Sequence, residues 1–333
     1  MSQQPEAKHI QAKKLDEIIK PLCRGYTDYT LLDFPAHSNV GDSAIYLGEL
    51  AIFDRIFNKP PRYVCTKKSP ANDIDRLMPV GIIFLHGGGN FGDIWPAHQK
   101  FFKKILRQYP DRKIVQLPQS IHFSSSDNLI KTSEAIRDHK NFTMLVRDHK
   151  SFQIAQEHFN CELQLCPDSA FAITGLESNN NEIIHNVLCL LRSDKEKHLT
   201  TKDWDILARL GKIDDWLHEK QVKTISDRLR ELAFRCRPQS RASLMPKREQ
   251  MYRRHAQARL ERGIAQINSA KYIVSDRLHV HILSSLLQKP HFVLDNSYNK
   301  IGNYISTWPM SESTHVVENI EELEDGIKRL NSI

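Results

Sequence analysis

Short runs of apolar and β-branched residues recur along the chain, and most are followed by a polar loop and then by residues with helical periodicity. This alternation predicts parallel strands joined by crossover helices. We predict strands in the first half at residues 30–34, 62–66, 81–85, 113–117, 143–146 and 163–166, and in the second half at 186–191, 272–275, 291–294 and 314–317. Helices are predicted at 12–22, 43–57, 98–109 and 320–330, and a helical segment at 204–269 is expected to break near Pro238 and Pro246.

A polar stretch at residues 176–182, with three consecutive asparagines, separates the two sets of predicted strands. A chain of 333 residues that is 40% hydrophobic can build two medium-sized cores. We therefore expect an N-terminal α/β domain at 1–178, a C-terminal α/β domain at 179–318 and a closing helix at 319–333. The expected architecture is two open α/β domains that face each other across a cleft.

Cysteine and histidine usage argues against a metal site. Three of the six cysteines, Cys65, Cys166 and Cys189, lie in or beside apolar runs without C-x-x-C spacing, which indicates buried thiols in a reducing compartment. The 16 histidines are scattered and show no H-E-x-x-H spacing. The chain has no apolar run of 18 residues and its first 14 residues are polar, so we expect a cytoplasmic protein without a signal peptide.

Positive charge is concentrated in one segment. Residues 221–262 hold twelve lysines or arginines against four aspartates or glutamates, a net charge of +8. The formal net charge of the whole chain is +7, so the remaining residues are close to neutral. Such a segment could bind an anionic membrane surface, a diphosphate lipid or nucleic acid, or could simply be a solvated helical face. Surfaces that bind single-stranded nucleic acid carry aromatic residues among their basic residues, and this segment does not show that pattern. We therefore do not expect the protein to bind nucleic acid.

Ligands of open parallel sheets bind beyond the carboxyl ends of the strands, and the loops at those positions are strongly polar here. They cover residues 37–42, 86–93, 118–122, 147–148, 167–168, 192–196 and 276–279. A triple glycine, Gly87-Gly88-Gly89, lets backbone N–H groups approach an anion, although it could also serve only a tight turn.

Three arginines follow predicted strands directly: Arg147, Arg192 and Arg277. A guanidinium donates two parallel hydrogen bonds to a carboxylate or phosphate and keeps its charge. One such arginine would more often be an ion-pair partner, and the adjacent Asp148, Asp194 and Asp276 could have that role. Three on the same sheet edge favour an anionic substrate.

At these residues the sequence resembles the polysaccharide pyruvyl transferase family. The ordered motifs are Ser38-Asn39-Val40-Gly41-Asp42, His86-Gly87-Gly88-Gly89-Asn90, Arg147-Asp148, Cys166-Pro167-Asp168 and Ser275-Asp276-Arg277-Leu278-His279. The resemblance implies two Rossmann-like domains with parallel sheets facing a cleft, similar to the GT-B glycosyltransferases. It also implies phosphoenolpyruvate as the donor co-substrate, no cofactor and no metal, with a cyclic pyruvate ketal and phosphate as products.

The resemblance assigns the donor to Arg277, Leu278 and His279, with Arg147 as an upstream partner, and we add Arg192. His279 is our first candidate for proton transfer because an imidazole works in both directions at neutral pH; Asp42 is the second catalytic candidate. We place the acceptor on the N-terminal domain, at Asn39, Asp42, His86, Asn90, Trp95 and His98.

The expected acceptor is a lipid-linked oligosaccharide or polysaccharide repeat unit of the cell surface, and the basic segment 221–262 could hold the enzyme at the inner membrane face. A GT-B glycosyltransferase that uses a nucleotide sugar is the alternative enzyme. A non-catalytic sugar-binding or nucleic-acid-binding protein is a second alternative, supported only by the basic segment.

Overall fold

The computed structural model describes residues 7–69, 72–177, 183–194, 199–217, 224–295 and 299–331. The strands are β1 Tyr29–Leu32, β2 Tyr63–Cys65, β3 Ile82–Leu85, β4 Gly88–Gly92, β5 Ile114–His122, β6 Phe142–Val146, β7 Glu162–Leu165, β8 His185–Leu190, β9 Lys212–Asp214, β10 Ala270–Ser275, β11 His291–Val293 and β12 Thr314–Val316. The helices are α1 Ala7–Leu22, α2 Val40–Phe57, α3 Ile74–Leu77, α4 Pro96–Gln108, α5 Ser126–Arg137, α6 His149–His158, α7 Thr201–Leu210, α8 Ile225–Cys236, α9 Arg241–Asn268, α10 Leu278–Leu286, α11 Lys300–Ile305 and α12 Ile320–Asn331. Short 3-10 turns occupy Ser169–Ala172 and Pro238–Ser240.

The strands form two parallel sheets. The first has the order β2-β1-β3-β5-β6-β7, with β4 paired to β5, and the second has the order β12-β11-β10-β8-β9. Strands such as β1, β3 and β6 are buried along their whole length because helices cover both faces of a parallel sheet. This architecture is consistent with the predicted α/β class of Rossmann-like, GT-B-like proteins.

Helix α9 belongs to the second half of the chain but packs against α2 of the first half. The two helices approach closely at Gly263, where an added Cβ would lie 2.4 Å from a methyl group of Val40. Tyr252 on α9 also stacks on Phe34, with ring centroids 4.0 Å apart. Much of the basic segment is therefore attached to the first sheet.

The structure corrects four details of the sequence prediction. Residues 118–122 were predicted as a loop but continue β5, and the short strands β4 and β9 were not predicted. Pro246 was expected to break the helical segment, yet it lies inside α9. Because proline has no N–H, the carbonyl group of Ala242 lacks its helical hydrogen bond, but Ala242 is exposed and water can bind that carbonyl. The predicted domain boundary at 178/179 and the loop residues 195–196 lie outside the described residues, and the domain division stays a prediction.

Cys65, Cys166 and Cys189 are buried free thiols, as predicted. In the described ranges, no helix is both long enough and apolar enough to cross a membrane.

Candidate active site

A cavity of about 460 Å³ lies at the carboxyl ends of both sheets and is lined by β4, by residues that follow β1, β2, β4, β6, β8, β9 and β10, and by the start of α11. We call it the active-site cavity. Ten of the eleven predicted site residues line it: Asn39, Asp42, Asn90, Trp95, His98, Arg147, Arg192, Arg277, Leu278 and His279. As expected for ligand sites of parallel sheets, residues as far apart in sequence as Asn39 and His279 line the same cavity.

Arg277 stands at the turn from β10 to α10, as the residue that caps the helix. Its Nη2 donates to the carboxylate of Asp215, the residue after β9, and not to the adjacent Asp276. The Nε of Arg277 is buried and has no hydrogen-bond partner among the described residues. Burial, followed by the nearby charge of Arg192, lowers the pKa of Arg277. The site therefore holds a guanidinium with an unused donor beside another cation.

Arg192 lies two residues beyond β8 and forms a two-pronged ion pair with Asp194, with N–O distances of 2.9 and 2.8 Å. Its backbone N–H donates to Asp276 at 2.9 Å, so Asp276 fixes the loop that carries Arg192. Burial raises the pKa of Asp276 to about 6. The three predicted arginines do not share one sheet edge: Arg147 follows the first sheet, whereas Arg192 and Arg277 follow the second.

Arg147, Asp168 and His279 form a connected group in which both Arg147 and His279 contact the buried carboxylate of Asp168. Arg147 Nη1 donates to Asp168 Oδ2 at 2.6 Å, and His279 Nε2 lies 3.3 Å from the same oxygen. Burial alone would raise the pKa of Asp168, but the charges of His279 and Arg147 prevail and hold it far below its usual value. Asp168 is thus an ionised carboxylate that orients the imidazole through Nε2.

The glycine of the Ser38–Asp42 motif is required by His279. Gly41 lies in the first turn of α2, whose N-cap Asn39 accepts from the Gly41 backbone N–H at 3.0 Å. A Cβ at Gly41 would lie 2.6 Å from His279 Nδ1. The start of α2 therefore packs directly on the imidazole ring.

Asp42 follows in the same turn of α2, and its carboxylate accepts from Asn39 Nδ2 at 2.9 Å. Burial acts to raise the pKa of Asp42, but neighbouring histidines, led by His37 and His279, lower it. Asp42 is therefore an ionised group beside the imidazole.

The predicted acceptor residues His98 and Asn90 belong to one hydrogen-bonded group. His98 Nδ1 lies 2.5 Å from Asp33 and 3.2 Å from Asn90 Nδ2, while His98 Nε2 lies 2.6 Å from Lys67 Nζ. Asn90 Oδ1 also accepts from Gln119 at 2.9 Å. The side chains on this wall are held in place by their neighbours.

His86 is the exception among the predicted acceptor residues, because it does not line the cavity. It is buried beneath the triple glycine, where its Nδ1 lies 2.7 Å from Glu49 and Glu49 accepts from the Gly87 backbone N–H at 2.7 Å. The three glycines carry no side chains that could fill the space beneath their loop. His86 fills that space and supports the loop from inside the protein.

Several lining residues were not predicted: His37, Lys67, Asp194, Trp216, Leu217 and Lys300. Lys300, at the start of α11, brings its Nζ to 3.4 Å from the Gly89 carbonyl oxygen. A Cβ on Gly89 would lie 3.0 Å from Arg147 Nη2 and 3.4 Å from Lys300 Nζ, so Gly89 allows these two cations to meet. His37 and Asp194 stood in loops that the sequence marked as polar; the others had no sequence signal that we used.

The cavity is lined by five lysines or arginines against two aspartates, which favours an anionic ligand. Within the described part of the chain, no group of three or more His, Cys, Asp or Glu side chains could hold a metal ion. Independence of metals and cofactors stays a prediction.

Comparison with known proteins gives consistent results. A sequence profile of the polysaccharide pyruvyl transferase family matches residues 39–298. The chain is 33% identical to the Bacillus subtilis protein named "Putative pyruvyl transferase EpsO", over 88% of this chain and 89% of that protein. It is 31% identical to "Pyruvyl transferase 1" of Schizosaccharomyces pombe, over 90% of this chain and 74% of that protein.

The fold also has a counterpart among solved structures. The crystal structure of an uncharacterized Klebsiella pneumoniae protein superposes with a TM-score of 0.56 at 18% identity, over 93% of this chain and 99% of that chain. At this identity the likeness concerns the fold alone.

Proposed function

The chain belongs to the polysaccharide pyruvyl transferase family, which transfers a pyruvyl group to polysaccharide, and from this premise we propose that phosphoenolpyruvate is its donor and a cyclic ketal its product. The observation that carries the proposal is the convergence of Arg147, Arg192 and Arg277 on one cavity. Phosphoenolpyruvate presents a carboxylate and a phosphate at opposite ends, and each suits a guanidinium.

The donor site in this proposal lies between the two sheets. Arg277 offers its unpartnered Nε, and Arg147 offers Nη2, for which no hydrogen bond is present among the described residues. Lys300 and the N-terminal N–H groups of α10 add positive charge at the same place. Burial and then the charge of Arg192 lower the pKa of Arg277, and an anion between the two guanidinium groups would offset their repulsion.

The reaction requires proton transfers at the carbon next to this anion site. The first sugar hydroxyl adds its oxygen to C2, its proton passes to a base, and C3 of the enol gains a proton to become a methyl group. The C2–O bond to phosphate then breaks, and a second hydroxyl oxygen closes the ketal with loss of its proton. His279, oriented by Asp168, is the group we assign to proton transfer, with Asp42 as the nearest second carboxylate.

The acceptor, in the proposal, lies against the first sheet. Asn39, Asp42 and Asn90 offer amide and carboxylate oxygens to sugar hydroxyls, and Trp95 offers an aromatic face. His98 and Lys67 complete this wall and bring a second imidazole near the reacting hydroxyls.

We further propose that the acceptor is a lipid-linked unit of a cell-surface polysaccharide and that the enzyme is cytoplasmic, where phosphoenolpyruvate is produced. Not all of the basic segment 221–262 is available to a membrane: residues 221–223 lie outside the described ranges, and Arg241, Arg248 and Arg259 are buried. Arg241 pairs with Asp73, and Arg259 donates to a backbone carbonyl. Membrane contact through this segment therefore depends on its exposed arginines, chiefly on α8.

The test is to incubate the purified protein with phosphoenolpyruvate and candidate lipid-linked glycans. We expect phosphate release that depends on one glycan, and a product whose proton NMR spectrum shows a methyl singlet. In D2O that methyl should carry one solvent deuterium. Vinyl protons would instead identify an enolpyruvyl ether and refute ketal formation, and transfer from a nucleotide sugar without phosphoenolpyruvate would refute the donor.

A further inference from the structure

A second cavity of about 580 Å³ adjoins the active-site cavity, and His37 and Lys67 line both. Its floor is apolar, formed by Phe34, Met251 and Tyr252, and α8 forms its outer wall with Leu232. Lys67, Lys68, Arg228 and Arg235 surround this floor. The second cavity thus combines an apolar surface with a basic rim.

The acidic residues of the second cavity are already neutralised. Asp227 accepts from Arg254 at 2.6 Å and lies 3.1 Å from His255 Nε2, while Glu231 accepts from Arg248 at 3.0 Å and from Tyr252. His255 is buried, and its Nδ1 has no hydrogen-bond partner among the described residues.

The basic residues of the rim are not paired in this way. For Lys68, Arg228 and Arg235, no carboxylate lies within ion-pair distance in the described part of the chain. The rim therefore has a net positive charge available to a ligand.

The outer face of α8 is apolar as well as basic. Ile225, Leu229 and Leu232 are 78%, 61% and 57% exposed and follow the spacing i, i+4, i+7 on one face of the helix. Arg228 and Arg235 fall on that face too. An apolar chain that leaves the second cavity across Leu232 would therefore run along an apolar stripe bordered by positive charge.

We propose that the second cavity binds the diphosphate and the adjoining apolar chain of a lipid-linked acceptor. The rim of Lys68, Arg228 and Arg235 binds the diphosphate, and the floor around Met251 and the stripe on α8 hold the chain. The shared wall at His37 and Lys67 then directs the attached sugar into the active-site cavity. This inference rests on the proposed function and assigns the place where the diphosphate and lipid of its acceptor bind.

Geranyl diphosphate is the probe, because it carries a diphosphate on a short apolar chain and is soluble. Calorimetric titration should show that it binds the wild-type protein about tenfold or more tightly than inorganic diphosphate or geraniol alone, since each of those uses only half of the cavity. The paired change Arg228→Glu with Arg235→Glu should weaken binding at least about tenfold. Arg137→Glu with Lys140→Glu, at exposed positions remote from the cavity, is the charge-matched control and should change nothing.

Saturating phosphoenolpyruvate should leave the affinity for geranyl diphosphate unchanged or improved, because the two ligands occupy different cavities. Displacement by phosphoenolpyruvate, or equal binding by the Arg228→Glu/Arg235→Glu protein and wild type, would overturn the proposal. Equal affinity for inorganic diphosphate and geranyl diphosphate would overturn the lipid assignment. Separately, failure of wild-type protein to bind phosphoenolpyruvate would overturn the proposed function, while the geranyl diphosphate titration would still decide the second cavity.

Discussion

Gly41→Ala tests whether His279 must stay where the structure places it. The added Cβ would lie 2.6, 2.7 and 2.8 Å from Nδ1, Cγ and Cβ of His279, which is about 0.6 to 0.8 Å inside ordinary contact. Because the Cβ of His279 is among these atoms, rotating the ring cannot relieve the overlap, and α10 must move away from α2. A catalytic group displaced by about 1 Å can lose on the order of 100-fold in rate, so we expect kcat to fall about 10- to 100-fold.

Stability should change less than activity. Overpacking costs about 1 to 3 kcal/mol, and the better helix propensity of alanine returns up to about 1 kcal/mol. Phosphate release under saturating donor and acceptor gives kcat, and thermal unfolding gives the stability. When Gly41→Ala is added to a His279→Ala variant, kcat should fall little further, because the imidazole ring that the added methyl group displaces is absent from that variant. A Gly41→Ala protein that retains wild-type kcat would refute both the contact and the role of His279.

Three further predictions concern the donor, the acceptor and the stability of the fold. Arg277→Lys should raise the KM for phosphoenolpyruvate about ten- to hundred-fold, because an ammonium group cannot donate the two parallel hydrogen bonds of a guanidinium. An unchanged KM for phosphoenolpyruvate would place the donor site elsewhere. Asp42→Ala or Trp95→Ala should raise the acceptor KM more than the donor KM, and the opposite ratio would contradict the acceptor assignment. The buried pair His281 and His291, 2.9 Å apart, has both pKa values lowered by burial, that of His291 to about 4. The unfolded chain therefore binds more protons than the folded chain below pH 6.5. Urea unfolding should show the free energy of unfolding falling from pH 6.5 toward pH 4, by up to about 1.4 kcal/mol per pH unit for each histidine. A flat pH profile that His281→Leu does not alter would refute this prediction.

The sequence predicted most of the fold because its strands carry their own signal. Strands such as β1 and β6 are runs of apolar and β-branched residues, which a sheet covered on both faces buries completely. In contrast, β4 is Gly-Gly-Asn-Phe-Gly and β9 is Lys-Ile-Asp, and neither composition favours a strand. Pairing with β5 and β8 stabilises them, and such long-range pairing leaves no local pattern.

The missed strand β9 explains part of what was missed in the active-site cavity. Asp215 and Trp216 follow β9 at its carboxyl end, the same kind of position that identified Arg277 after β10. Had the strand been recognised, the topology rule would have placed both residues at the site. Lys67 follows the predicted strand at residues 62–66 and was equally within reach of that rule, whereas Lys300 lies farther beyond the predicted strand at residues 291–294, at the start of a helix that was not predicted.

Arg192 pairs with its sequence neighbour Asp194, but Arg147 and Arg277 do not pair with the aspartates beside them. Asp148 does not pair with Arg147; it caps α6 by accepting from the Ser151 backbone N–H at 2.8 Å. Asp276 likewise accepts from a backbone N–H, that of Arg192. The carboxylates that hold Arg147 and Arg277 come from other loops, after β7 and β9. A carboxylate that approaches from a separate loop holds only part of the guanidinium, so Arg147 Nη2 and Arg277 Nε keep no hydrogen-bond partner among the described residues and can donate to an anionic donor.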